Sequence, residues 1–385
     1  PIPVLLIGAG GRIERANPAA RTFLGLGTER GLLSTVLRQP RVLEAVSAAL
    51  RGDRGATVEY STLAPLESHV RAYVEPIRLS APGPMPFRAM LVLGLPLIGG
   101  HIGQMAIGVT DTVMLGWYSV DALAAEVLGG TTFFVFFIMG SGFAWAVMPM
   151  VASAQAAGQE AQVRRVTRMG AWASVLYALA ILPVLYWSGP VFRALGQDPE
   201  ISALAEDYLR IAGFATLPAL LVMVLKSYLA ALERTQVVLW VTVAAVGLNI
   251  VVNYALIFGH WGFPEMGVQG AAIASLAVNV ASFVVLAVYV AIATPEHTLF
   301  QRVWRPDWEA FGRVFRLGWP IGITNLAEVG LFAASTAMMG WLGKLPLAAH
   351  GIAMQVASVM FMVHLGLSNA ATVRAGQAFG RGDGP

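Results

Sequence analysis

The chain has 385 residues, of which 57% are hydrophobic and 12% charged, with a formal net charge of +3 and a mean hydropathy of +0.67. Soluble domains carry about 25% charged residues, so this composition excludes a purely soluble protein and puts most of the chain in lipid. The absence of cysteine excludes disulfides, thiolate metal sites and cysteine nucleophiles.

Residues 1 to about 90 contain no apolar run long enough to span a bilayer, which takes roughly 20 residues. The chain opens at Pro1 without a methionine and without a signal-peptide pattern, so a fragment is expected at this end. In PVLLIGAGGRIERANPAARTFLG, Gly8 and Gly10 invite a dinucleotide-binding reading, but that motif needs glycine at the sixth position and a helix starting inside it. Ile13 occupies the sixth position, and residues 12–16 alternate like a strand. The glycines therefore predict a hairpin turn, followed by a helix capped by Asn17 with Pro18 at its first position. PRVLEAVSAALRGD predicts a short amphipathic helix, and ATVEYST, VRAYVEPIRL and FRAMLVL predict three closing strands. FRAMLVL, at 87–93, also reads as the start of the first membrane helix.

Strand, glycine turn, strand, N-P-A-A and helix together resemble the opening of a PAS sensor domain, most closely that of phosphate-type sensor histidine kinases, over residues 1 to 93. No haem or flavin ligand is evident, and His69 reads as a surface histidine. A kinase would continue into a dimerisation helix with a phospho-acceptor histidine. This chain enters the membrane instead, so no enzyme activity is expected.

Eight apolar segments follow, at about 91–116, 122–152, 168–188, 203–231, 236–258, 268–293, 312–341 and 346–373. With the first entering from the cytoplasm, the inside connectors carry Arg164, Arg165, Arg168, Arg234, Arg302, Arg305, Arg313 and Arg316. The outside ones carry little beyond Arg193 and Lys344. This is the positive-inside asymmetry, and it places the N-terminal region in the cytoplasm. An ungapped repeat sets Gly94 on Gly318, Pro96 on Pro320, Thr112 on Thr336 and Gly116-Trp117 on Gly340-Trp341. AQAAG at 154–158 recurs as GQAFG at 376–380. The second copy begins after an even number of crossings, so the copies are parallel, an arrangement in which transporters bind substrate between halves. A six-helix unit implies twelve helices, of which eight are present, so four more are expected beyond Pro385.

Within this region Gly100, Gln104, Gly108 and Asp111 share one helix face, as do Asn249 and Asn253 on another helix. A charged aspartate near a helix centre costs about 2.5–3.5 kcal/mol, so Asp111 needs a cavity, donors or a proton. Glu328 is the second intramembrane acid and lies opposite Gln104 in the repeat. Glu126 is expected at the membrane surface, with a place lining the cleft as the alternative. Asp207, Arg210 and Lys226 are expected to snorkel from the ends of their segment. Trp117, Trp187, Trp261 and Trp341 are expected to anchor at the interfaces, and Pro183 and Pro218 to kink their helices.

Residues 91 to 385 resemble the multidrug and toxic compound extrusion (MATE) family, NorM-like branch. The likeness rests on the GLP-type start at Gly94 to Pro96, VTDTVMLG at 109–116, ALAA at 122–125 and QxxG at 155–158. It also rests on LNIVVNYALIFG at 248–259, NLAEVGLFA at 325–333 and AAHGIAMQVAS at 348–358. Gly351 departs from the family's AAHQIA, and His350 beside it reads as a packing residue. The resemblance implies a mainly α, polytopic helical membrane protein with two parallel six-helix lobes, here preceded by an α+β PAS-like domain. The expected domains are 1–90, 91–300 (the N-terminal lobe) and 301–385 (the first two helices of the C-terminal lobe). It implies efflux of small organic, often cationic, amphiphilic compounds by antiport of H+ or Na+ through alternating access. Asp111, Asn249 and Asn253 would hold the coupling ion, with Na+ an option there, and Glu328 would serve the other lobe. Gln104, Thr112, Asn325 and Gln355 are cleft-lining candidates. No cofactor, resident metal or nucleic-acid partner is expected. A monomer in the bacterial inner membrane is expected. The alternatives are a membrane-bound PAS sensor whose helices anchor or relay a signal, and a PAS-regulated transporter.

Overall fold

The computed structural model describes residues 3, 5–8, 11–24, 31–37, 39–50, 56–62, 68–74, 87–301, 304–341 and 344–381. The chain separates into two compact units, Pro1–Ala81 and Pro82–Pro385.

In the first unit β1 (Leu5–Gly8) and β2 (Arg12–Ala16) form an antiparallel hairpin. Gly11 sits at its turn with φ +73°, a left-handed conformation that favours glycine. Asn17 then caps α1 (Pro18–Leu24), its Oδ1 accepting from the Ala20 amide at 2.8 Å. β3 (Gly31–Leu32) pairs with β2, and α2 (Leu33–Val36) and α3 (Pro40–Leu50) follow. β4 (Ala56–Thr62) and β5 (Ser68–Val74) pair antiparallel from Ala56↔Val74 to Thr62↔Ser68. Ile13, Ala20, Leu33, Val42 and Val46 form a core onto which Val58, Tyr60, Ala72 and Val74 pack. Among the described residues the strands form two sheets, β1-β2-β3 and β4-β5. The side chain of His69 lies outside the described residues.

The expected strand at 87–93 is a helix. α4 runs Phe87–Tyr118 without a break, so the apolar run is used once, by the membrane helix. α5 (Val120–Ala156), α6 (Glu160–Tyr186), the short α7 (Gly189–Ala194), α8 (Pro199–Ala231), α9 (Thr235–Phe258) and α10 (Gly267–Ala293) follow. α11 (Trp308–Trp341) and α12 (Lys344–Gly380) come last among the described elements. Where caps are present they are chemical. Ser119 Oγ accepts from the Ala122 amide at 3.0 Å, and Asp198 Oδ1 from the Glu200 and Ile201 amides. Pro183 and Pro218 lie inside continuous helices.

All eight expected segments are helical, and several run further into the connectors. Among the described residues seven of these helices, α4, α5, α6, α8, α9, α10 and α12, contain a stretch long and apolar enough to cross a membrane.

α4 packs on α12 and α5 on α11, the same pairing seen from each copy of the repeat. The atoms repeat too. A Cβ on Gly318 would meet Phe143, and one on Gly94 would meet Leu367; Gly142 faces Gly322, and Gly366 faces Ile98. Each pair becomes the other on adding 224, the offset that sets Pro96 on Pro320. The helices touch at backbone distance here, since a Cβ on Gly142 would lie 2.4 Å from the Gly318 carbonyl oxygen. Small residues at such crossings are how membrane helices approach closely.

These contacts fall in the half of the bundle that carries the arginine connectors. At that end Arg165 pairs with Asp307 and, at 2.9 Å, with Glu309. Arg164 donates to Thr298 and Arg313 to Gln162. Arg374 of α12 pairs with Glu233 at 2.8 Å, and Gln377 donates to the same carboxylate. Glu233 holds φ 60°, a left-handed conformation that costs a non-glycine residue about 1–2 kcal/mol. In the opposite half, a Cβ on Gly108 or on Gly330 would meet nothing within 4 Å.

Candidate functional site

α4, α9 and α10 bring the aspartate and its partners together. Asp111 is 6% exposed, and Asn249 and Asn253 are fully buried. Asn249 Nδ2 donates to Asp111 Oδ1 at 3.0 Å and Asn253 Nδ2 to the same oxygen at 2.5 Å. Ser275 Oγ donates to Oδ2 at 3.1 Å. The carbonyl oxygens Asn249 Oδ1 and Asn253 Oδ1 are buried without a hydrogen-bond partner among the described residues. One carboxylate beside two unpaired amide carbonyls is an all-oxygen donor set suited to a hard cation, or to a proton on the carboxylate.

Glu126 corrects the first of its two expectations: it is 9% exposed rather than set at the surface, and Thr112 Oγ1 donates to its Oε2 at 3.4 Å. Thr112 follows Asp111 in sequence, and the two carboxylates are close enough for their charges to interact. α5 turns Glu126 inward because Ala122, Ala125 and Gly129 on its face are all buried. Lys226 corrects another. It does not snorkel outward; its Nζ donates to Gln104 Oε1 at 3.2 Å across from α8 to α4. At the start of α8 Arg210 pairs with Glu206 and Asp207 and lies over the Tyr186 ring.

Among the other sequence candidates, Glu328 is exposed and makes no hydrogen bond among the described residues, while Asn325 Nδ2 is buried without a partner. Thr324 bonds to the Pro320 carbonyl at 2.9 Å rather than to Glu328. Gln355 lies on α12, but its side chain is outside the described residues, as is that of Trp341. Among the described residues His350 Nε2 is buried without a hydrogen-bond partner. Trp117, Trp187 and Trp261 are exposed. Ser275 was not singled out from sequence. Its one signal is a hydroxyl in AAIASLAV, four residues before Asn279, which donates back to the Ser275 carbonyl. Among the described residues no cluster of His, Cys, Asp and Glu could hold a metal ion. An apolar groove of about 490 Å³ lined by Val113, Trp117, Ile250 and Tyr254 lies on the side of α4 away from Asp111, so it is not part of this site.

The MatE family model matches residues 96–255 and 320–384, more than half of the chain. The chain belongs to the MatE family. The two MatE blocks start at Pro96 and Pro320, the prolines that the repeat superimposes. Curated relatives include "Probable multidrug resistance protein NorM" of Rhizobium meliloti, 49% identical over 302 residues, covering 78% of this chain and 65% of the relative. The protein of the same name from Agrobacterium fabrum is 49% identical, covering 77% and 64%. This MatE chain therefore spans slightly less than two thirds of the length of these relatives. Among solved structures, an outward-facing multidrug resistance MATE transporter of the MOP superfamily superimposes with TM-score 0.68 at 22% identity, over 77% of this chain and 65% of that one. The eukaryotic MATE transporter AtDTX14 superimposes with TM-score 0.69 at 18% identity, over 77% and 66%. These two likenesses establish the MatE fold.

Proposed function

We propose that this multi-pass MatE protein exports small organic, often cationic, amphiphilic compounds by antiport against H+ or Na+, and that Asp111 binds the coupling ion. One observation carries the reading: a buried carboxylate held by Asn249, Asn253 and Ser275, with two amide carbonyls beside it left without donors. Asp111 lies in the half of the bundle away from the arginine connectors, and release of the ion toward those connectors would require the seam near Gly142 to part. Proteins of this family are transporters, not enzymes. One charge moving down 100 mV supplies about 2.3 kcal/mol, roughly a fortyfold gradient, which is sufficient for antiport. Glu328 would serve the second lobe. The protein would sit in a bacterial inner membrane as a monomer with its arginine connectors in the cytoplasm.

The test is drug efflux from cells carrying the full-length transporter. Asp111→Asn should insert normally and lose coupled export; undiminished export would refute the assignment.

A second reading concerns the first unit, which has its own core and, in its opening, the strand–turn–strand–helix order of a PAS domain. We propose that it regulates transport by binding a small ligand. Deleting residues 1–81 should then change export; unchanged export would leave the unit without this role.

A further inference from the structure

Lys226 has no place in a site built for cations alone. Its α8 neighbours Val222, Val224, Leu225 and Ser227 are buried, yet its Nζ reaches Gln104 Oε1 on α4, on the accessible side of that helix. An ammonium has three protons to donate, and among the described residues no carboxylate lies within ion-pairing distance of it. His101, three residues before Gln104 on α4, is close enough to feel the lysine's charge. His101 Nε2 in turn lies 3.0 Å from Asn369 Nδ2 on α12. The lysine therefore sits beside the contact between α4 and α12, which belong to the two copies of the repeat. A cation left in such a place without a counter-ion is costly, and it repels the positive end of any compound that Asp111 attracts.

We infer that Lys226, with Gln104 beside it, forms an anion subsite that receives a carboxylate or similar group on the transported compound, making zwitterionic amphiphiles a preferred substrate class. The placement gives the subsite a geometry. Gln104 and Asp111 are seven residues apart on one face of α4, about 10 Å along the helix axis. A compound with its amine toward Asp111 and Glu126 and its acid toward Lys226 spans that interval and is oriented by both ends. Complementary charge at two points favours one orientation and rejects compounds with the wrong pattern. The inference deepens the export reading and rests on it.

The experiment measures equilibrium binding of two fluorescent probes to the whole chain in lipid nanodiscs: a rhodamine ethyl ester, a cation, and its free acid, a zwitterion with the same ring system. In the unmodified chain the free acid should bind more tightly than the ester; the reverse order would overturn the subsite without any variant. Lys226→Gln should weaken the free acid by at least about tenfold and leave the ester within about twofold, while Lys226→Arg should keep the free acid bound. Equal loss of both probes in Lys226→Gln, or no loss of the free acid, would overturn the subsite and leave the export reading intact. Binding of neither probe to the unmodified chain would contradict the export reading itself, and this inference with it.

Discussion

An ionised aspartate near the middle of a membrane helix costs about 2.5–3.5 kcal/mol, and a hydrogen bond to a charged group returns roughly 1.5–3 kcal/mol. Two such bonds offset the cost, and Asp111 receives three. Removing one should therefore be felt. Asn253→Ala is expected to lower the stability of the helical unit by about 1.5–3 kcal/mol in denaturant titrations, and Ser275→Ala by less. An Asn253→Ala chain as stable as the parent would mean that the amide does not hold the carboxylate. The aspartate and its two asparagines were legible because spacing alone puts each set on one face. Ser275 was not, since a hydroxyl in an apolar helix usually bonds within its own helix, and nothing in the sequence shows which helix it faces. The surface reading of Glu126 and the snorkelling reading of Lys226 fail for a related reason. Long side chains near segment ends usually reach for water, and only the packed bundle shows Glu126 buried and Lys226 bonded to Gln104.

Helix pairs carry the closure of the bundle. At the crossing of α5 and α11 a Cβ on Gly142 would lie 2.4 Å from the Gly318 oxygen and the Gly322 nitrogen, backbone atoms that cannot rotate away. Gly142→Val should therefore force the seam open and raise the reactivity of a cysteine placed at Ser141; an unreactive Ser141→Cys in that background would contradict the packing. The clasp of α6 on the start of α11 makes a prediction about pH. Hydrogen bonding from Arg165 holds the Asp307 carboxyl down to about 2, below the ordinary value near 3.9. With the folded value depressed, the stabilisation is fully present above about pH 4 and is lost as pH falls toward about 2. The pair is partly exposed, so the effect is small, about 1 kcal/mol or less. Amide protection over 304–310 should be constant from pH 7 to about 4 and fall below it, and Arg165→Ala should abolish that step. An unchanged step in Arg165→Ala would assign it to another group. The helices were legible because each needs a long apolar run. The run at 87–93 was ambiguous because strand and helix periods cannot be told apart over seven apolar residues, and the continuous backbone of α4 resolves it.

Across the whole helical unit, the two copies of the repeat touch at backbone distance in the half bearing the arginines, while Asp111 lies in the other half. That parallel relation was readable from glycine, proline and tryptophan in register, but which end is packed was not, because under the proposed alternating access the same sequence closes at either end in turn. The cysteine-free chain allows this to be read directly. With a membrane-impermeant maleimide, Gly108→Cys should be labelled from the side away from the arginine connectors, and Ser141→Cys should be protected from both sides. The opposite pattern would mean that the bundle is open at the arginine end.

In the proposed antiport the coupling ion and the compound compete through Asp111. The decisive measurement is displacement of a bound rhodamine ester from the chain in nanodiscs, on adding sodium and, separately, on acidification. One of the two should release the probe from the unmodified chain and fail to release it from Asp111→Asn. Equal release from both chains, or none from the unmodified chain, would contradict the role assigned to Asp111.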